Sequence, residues 1–265
     1  MFKYSSRFWL YAPISTFLLL AIAAMAHWWL VDAAFEKKLA AIKGHQAIPG
    51  VTLDWDTVEV GGFPFRIDAD FTNFRAEGAA ARGPFAWKSE KFALHALTYG
   101  RPQVIYEAAG RQDLRFALAD GVNSSLSFQV GSLRASSINN KDGLARFDLD
   151  MANAGAPGWA LSRFQFHMRR DPNAKNLDLM FELDGLQLQI RPGLAGLTLK
   201  LKPGNLSFYA SLNHLDALQD LLAGKASWPQ TAERWRALGG NATLSQIKRG
   251  EMTLITPQIL TSPLY

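Results

Sequence analysis

From residue 51 onward, apolar side chains return at every second position, in short runs divided by turn residues. Val51, Leu53 and Trp55 alternate with Thr52, Asp54 and Asp56. The pattern recurs in Leu126-Phe128-Val130, Phe147-Leu149-Met151, Phe164-Phe166-Met168, Leu177-Leu179-Phe181-Leu183, Leu186-Leu188-Ile190 and Leu197-Leu199-Leu201. A period of two puts the apolar side chains of a run on one face of an extended strand and the polar ones on the other. Between the runs stand "NNKDG" at 139–143, "AGAPG" at 154–158, "DPNAKN" at 171–176, "LDG" at 183–185, "RPG" at 191–193 and "KPGN" at 202–205. Short strands joined by such turns predict an antiparallel meander with one wet face.

One stretch changes period. "SLNHLDALQDLLAGK" at 211–225 places Leu212, Leu215, Leu218 and Leu222 on one helical stripe, with Ser211 or Asn213 as cap and Gly224 at the end. "WPQTAERWRALGG" at 228–240 repeats the device, with Pro229 near its start and Gly239 as its stop. These predict a helical hairpin inserted near 211–240. The fold class expected is mainly β (α+β), a large curved antiparallel sheet.

The N-terminus obeys neither pattern. Phe8 to Val31 contains no charged side chain apart from a protonated His27. As a helix it would run roughly 36 Å, against about 30 Å of bilayer hydrocarbon. Trp9 and Tyr11 stand near one end and Trp28 and Trp29 near the other, as interfacial aromatic belts do. Lys3 and Arg7 precede the run with no acid among them, so the positive-inside bias puts the N-terminus in the cytoplasm and the body in the periplasm. "AMA" at 24–26 fits a signal cleavage site. Hydrophobicity nevertheless continues through Val31 into a helical stripe of Phe35, Leu39 and Ile42 that Gly44 stops, which favours an uncleaved anchor in the inner membrane. The expected organisation is an anchor and juxtamembrane helix over 1–43 and an exported antiparallel β domain over 44–265.

Composition removes several chemistries. The net charge is +5; Lys3 and Arg7 set aside, 26 basic residues face 23 acidic ones with no basic run, which argues against nucleic-acid binding. With no cysteine there is no disulfide, thiolate zinc site or cysteine nucleophile. His27, His45, His95, His167 and His214 stand far apart and none sits in HExxH, so no metal is expected. No GxSxG elbow and no phosphate- or dinucleotide-binding glycine pattern occurs, and no cofactor is expected. Asp54 with Asp56, Asp68 with Asp70 and Asp148 with Asp150 would each share a strand face, but acids on a wet face serve solubility. The chain is not expected to be an enzyme.

"VEVGGFPFRID" at 58–68 interrupts the alternation. Gly61 and Gly62 suit a turn with positive φ, and Pro64 holds Phe63 extended. The expectation is a hairpin corner spanning Gly61, Gly62, Phe63, Pro64, Phe65 and Arg66, with Phe63 and Phe65 plugging the end of the core. This segment, together with the tryptophan-ended anchor and "ERWRALGGNATLSQI" at 233–247, resembles the uncharacterised bacterial envelope family called domain of unknown function 2125. The resemblance covers most of the chain, which departs from the family in ending at Tyr265, where more sheet is expected. The family carries no established activity. More broadly, an anchor followed by a sheet resembles exported AsmA-like proteins, whose curved sheets cradle lipid, a likeness of plan only.

A one-sided sheet must bury its apolar face against something. With few helices to cover it, the expectation is a groove for a lipid or other amphipathic molecule along Phe147, Leu149, Phe164, Phe166, Leu179, Phe181 and Leu188. The alternative is an interaction protein of the envelope that takes a protein partner and no small ligand.

Overall fold

The computed structural model describes residues 6–80, 83–100, 102–117, 122–171, 173, 175–190, 199–203, 206–249 and 252–255. A helix, α1 (Ser6–Ile42), leads into strands β1 (His45–Ile48), β2 (Val51–Asp54), β3 (Thr57–Gly61), β4 (Arg66–Ala80), β5 (Gly83–Leu97) and β6 (Gln103–Ala117). There follow β7 (Asn123–Asn140), β8 (Gly143–Ala156), β9 (Trp159–Asp171), β10 (Asn176–Asp184), β11 (Gln187–Ile190), β12 (Leu199–Pro203) and β13 (Leu206–Leu212). The helical pair α2 (Leu215–Leu222) and α3 (Trp228–Ala237) precedes β14 (Ala242–Arg249) and β15 (Met252–Ile255). The strands form one open antiparallel sheet whose main path is β1-β2-β4-β5-β6-β7-β8-β9-β10-β13-β14. The turn segments at 191–193 and 204–205 fall outside the described residues.

The sheet divides at two strands. The first half of β4 pairs with β3 and its second half with β2; Trp55, between those partners, is buried. In the same way β9 pairs with β10 over Arg163–Asp171 and with β11 at Trp159 and Ala160.

The central strands are 13 to 18 residues long, well beyond the short runs the alternation predicts. The reason is a line of irregularities crossing the sheet. The pairing skips Asn73 and Glu90, shifts register at Ser89/Lys91 and Ala108/Gly110, and skips Asn153 and Ser162. Asn73 and Asn153 take φ of 50° and 54°, and Gly110 takes 76°. Each extra residue moves the alternation by one place while keeping the apolar set on one side, from Phe71 to Phe74, Val130 to Leu133, Met151 to Ala154 and Leu161 to Phe164. Bulges bend strands and increase local twist, so a line of them curves the whole sheet. Where the line crosses β5 and β6, Ser89 and Gln112 are fully buried. Gln112 donates to Ser89 Oγ at 3.0 Å and accepts from the Trp87 indole at 3.0 Å.

Helices cover two parts of the concave apolar face. The last turns of α1 lie on β2 to β5, with Leu39 buried in a cluster with Trp55, Phe71 and Phe74, and Phe35 and Ile42 beside it. α1 is thus part of the body's core. Leu218 and Leu222 of α2 bury against Met168 and Leu177, with Phe147, Phe166 and Leu179 alongside. The hairpin sits on the face of the sheet while β13 and β14, which it connects, pair directly. Its inter-helix loop reaches the β1–β2 turn, where Gly224 lies 3.6 Å from Ile48 counted from a Cβ position. α2 is capped by His214 in the left-handed region, without a side-chain bond, in place of the expected Ser211 or Asn213; the side chain of Ser211 instead bonds Asp178. α3 carries a capping box of Ser227 and Gln230.

Candidate functional site

Between the two helical covers no helix or strand among the described residues lies over the sheet. There the concave face forms a groove of about 580 Å³. Leu39 and Ile42 of α1 form one wall. The floor runs from Leu53, Trp55, Phe71 and Phe74, through Trp87, Phe92, Leu94 and Tyr106, to Leu133, Ala135, Phe147, Leu149, Met151 and Phe164. Most of these side chains are half-buried. The register explains why they meet. Phe71 faces Phe92, Phe92 faces Ala108, Leu133 faces Met151 and Met151 faces Phe164, and directly opposed residues share a face. The aromatic rings interlock, with Phe74 stacked on Phe92 at 4.3 Å between centroids and Trp55 edge-on to Phe71 at 5.1 Å. The lining carries no charged side chain, and its hydroxyl, on Tyr106, bonds Ser137 Oγ at 3.2 Å. Such a site offers dispersion and the hydrophobic effect and no polar handle, so it suits an aliphatic chain.

The groove residues expected from sequence are divided. Phe147, Leu149 and Phe164 line the groove. Phe166 and Leu179 share their face but lie beneath α2. Phe181 stacks on Phe208 at 4.6 Å and touches Phe166 at 4.7 Å, beyond the groove's edge, and Leu188 sits on β11 opposite Trp159. The sequence reading missed the half contributed by α1 and β2 to β5. "DFTNF" at 70–74 holds its signal, two phenylalanines three apart around an asparagine, but a strict twofold template rejects that spacing.

The opposite face is a polar ladder. Arg75 bridges Asp54 at 2.8 Å and Asp56 at 2.9 Å. His95 and Arg66 hold Asp68 at 2.6 and 2.8 Å, His167 and Arg146 hold Asp148 at 2.7 and 2.6 Å, and Arg163 pairs with Asp150. Hydrogen bonds from Arg75 hold the Asp54 and Asp56 carboxyls below the usual carboxylate range. Arg163 does the same to Asp150. Partial burial pushes the Asp148 carboxyl up, but the bonds from His167 and Arg146 outweigh it and the net direction is down. Among the described residues no group of three His, Cys, Asp or Glu is placed to hold a metal.

The GGFPFR segment is a hairpin corner between β3 and β4, with a cis Phe63–Pro64 bond. Gly62 alone takes the positive φ, 98°, and a Cβ there would lie 2.7 Å from the Arg66 carbonyl; Gly61 ends β3 in ordinary extended backbone. The phenylalanines do not plug the core: Phe63 is 52% exposed and Phe65 56%. The chain turns back immediately at Arg66, whose N–H bonds Gly62 O at 3.1 Å, leaving both rings on the outside of the corner.

The profile of a bacterial family described as "Uncharacterized protein conserved in bacteria (DUF2125)" matches residues 28–257. The chain belongs to that family. The match begins at Trp28, whose indole bonds Arg66 O of the body, and takes in the last turns of α1, the groove and the helical hairpin. In DUF2125 terms the family unit therefore includes the C-terminal turns of α1 as well as the sheet. No curated protein and no solved structure matches the chain.

Proposed function

We propose that this chain is a membrane-anchored protein of the bacterial envelope, with a periplasmic body that holds the acyl part of a lipid or a similar amphipathic molecule in the concave groove. The observation that carries this reading is the groove itself, a span of half-buried aromatic and aliphatic side chains left between two helical covers. Covering these half-buried side chains recovers a part, for each, of the roughly 1.5–3 kcal/mol that burying a fully exposed one contributes. The anchor reading rests on α1, whose stretch from Tyr11 is long and apolar enough to cross a membrane and whose most apolar eighteen residues are not buried by the body. The periplasmic placement rests on Lys3 and Arg7 ahead of that stretch. No catalysis is proposed, since Asp54, Asp56, Asp68, Asp148 and Asp150 are engaged by arginine or histidine on the far face from the groove.

The test is mass spectrometry of lipid released from the full-length protein after gentle solubilisation, beside the Leu149→Asp variant. Lipid retained by the parent and lost from the variant supports the reading. Equal lipid in both, or none in either, counts against it.

A further inference from the structure

The end of the sheet nearest the apolar part of α1 carries aromatic side chains where connecting loops ordinarily carry polar ones. The β3–β4 corner exposes Phe63 and Phe65, and the end of β5 and the loop after it expose Leu97 (52%) and Tyr99 (60%). The two connections are tied together. Thr98 donates its N–H and its hydroxyl to Phe65 O at 3.1 and 3.0 Å, and the Phe65 and Tyr99 rings meet edge-on at 6.0 Å. Both are also tied to the helix at one level. The Trp28 indole donates to Arg66 O at 2.9 Å, Phe63 packs edge-on against Trp28 at 5.4 Å, and His27 Nε2 lies 3.5 Å from Thr98 O. On the helix, Trp29 and Leu30 are exposed beside them.

We infer that these two loop tips are a second membrane contact, which inserts Phe63, Phe65, Leu97 and Tyr99 into the interfacial layer of the bilayer that α1 crosses. This rests on the reading of α1 as an anchor. The occupant follows from continuity. A helix whose apolar stretch ends at Val31, just past Trp28 and Trp29, places those rings at the headgroup level, where tryptophan and tyrosine concentrate. Trp28 is in direct contact with the corner, so the loop tips stand at the same depth. Exposed Arg66, beside the phenylalanines, is positioned to meet lipid phosphates while bonded to Asp68. Two attachment points fix the body's tilt where a single helix would leave it free to swing. They also set the groove's Leu94 end, three residues from Leu97, toward the membrane.

The chain has no cysteine, so single labels are clean. Full-length protein carrying an environment-sensitive fluorophore at Phe65→Cys, Tyr99→Cys, Leu18→Cys or Pro157→Cys would be reconstituted in vesicles of phosphatidylcholine and phosphatidylglycerol. Part of the lipid would carry a spin-label quencher near the headgroup or deep in the chain. The contact predicts blue-shifted emission at 65 and 99, quenched most by the shallow probe, deep quenching at 18, and no quenching at 157 in the β8–β9 turn. Quenching at 18 with none at 65 and 99 overturns the second contact and leaves the anchor standing. Emission at 65 and 99 that shifts without lipid quenching points to a protein partner or second copy, and also overturns it. No quenching at 18 overturns the anchor reading, and the inference with it.

Discussion

Phe147 and Phe166 meet across β8 and β9 with their ring centroids 6.1 Å apart, and the pair marks a boundary. Phe147 packs against the cluster beneath α2 and also lines the open groove, while Phe166 packs against that cluster alone. One apolar face thus continues without a break from a region the protein covers for itself to one it leaves uncovered. The consequences are measurable on both sides of that line.

The covered side behaves as core. Leu218 is 1% exposed beneath the hairpin, and Leu39 of α1 is 6% exposed against Trp55. Leu218→Ala and Leu39→Ala should each cost about 2–5 kcal/mol, the range for buried leucines that leave a cavity. Denaturant titration of the body's fluorescence checks this. An unaffected Leu39→Ala would mean that α1 merely tethers the sheet.

The bulge line makes Asn153 a position for a left-handed residue, with φ of 54°. Asn153→Val should destabilise by about 1–2 kcal/mol, because a β-branched side chain there crowds the following carbonyl. Asn153→Gly should be close to neutral. Thermal melts of the two variants beside the parent separate the outcomes.

Gln112 is a polar residue on the apolar face, kept by three partners: Trp87, Ser89 and Ala109 O. Gln112→Leu leaves the indole N–H of Trp87 without its acceptor, at a cost of about 1–3 kcal/mol. A compensating Trp87→Phe should recover part of that loss in a double-mutant cycle, and strictly additive losses would disprove the coupling.

Acid should loosen the outer ladder. The carboxyls of Asp54, Asp56, Asp148 and Asp150 are held below their ordinary range in the folded state, so the unfolded chain takes up protons first as pH falls. Their contribution is complete above the unfolded value of about 3.9 and disappears as pH drops through the lower folded values. Melting temperature should therefore be insensitive to these groups near neutrality and fall below about pH 4. Arg75→Gln should flatten that fall, because Asp54 and Asp56 then titrate closer to their unfolded values.

Much of this architecture was legible in the residues. The alternation of Phe147, Leu149 and Met151 marks a one-sided strand, and Leu215, Leu218 and Leu222 mark a helix, because each segment follows a single period. Strand length was not legible, since the extra residues at Asn73 and Asn153 shift the alternation and make one long strand read as two short ones. The same slip hid Phe71 and Phe74 from the groove. Phe63 and Phe65 misled for another reason. Hydrophobicity near a strand end reads as core unless the turn's direction is known, and Gly62 reverses the chain so that both rings stay outside.

The central claim is that the uncovered groove holds an acyl chain in the cell. A photoreactive amino acid placed at Leu149 or Phe164, irradiated in intact cells and analysed by mass spectrometry, tests it most directly, with Gln165 on the polar face as the comparison. The account predicts lipid-mass adducts at 149 and 164 and none at 165. Adducts to protein alone at the groove positions, or equal labelling on the two faces, would contradict it.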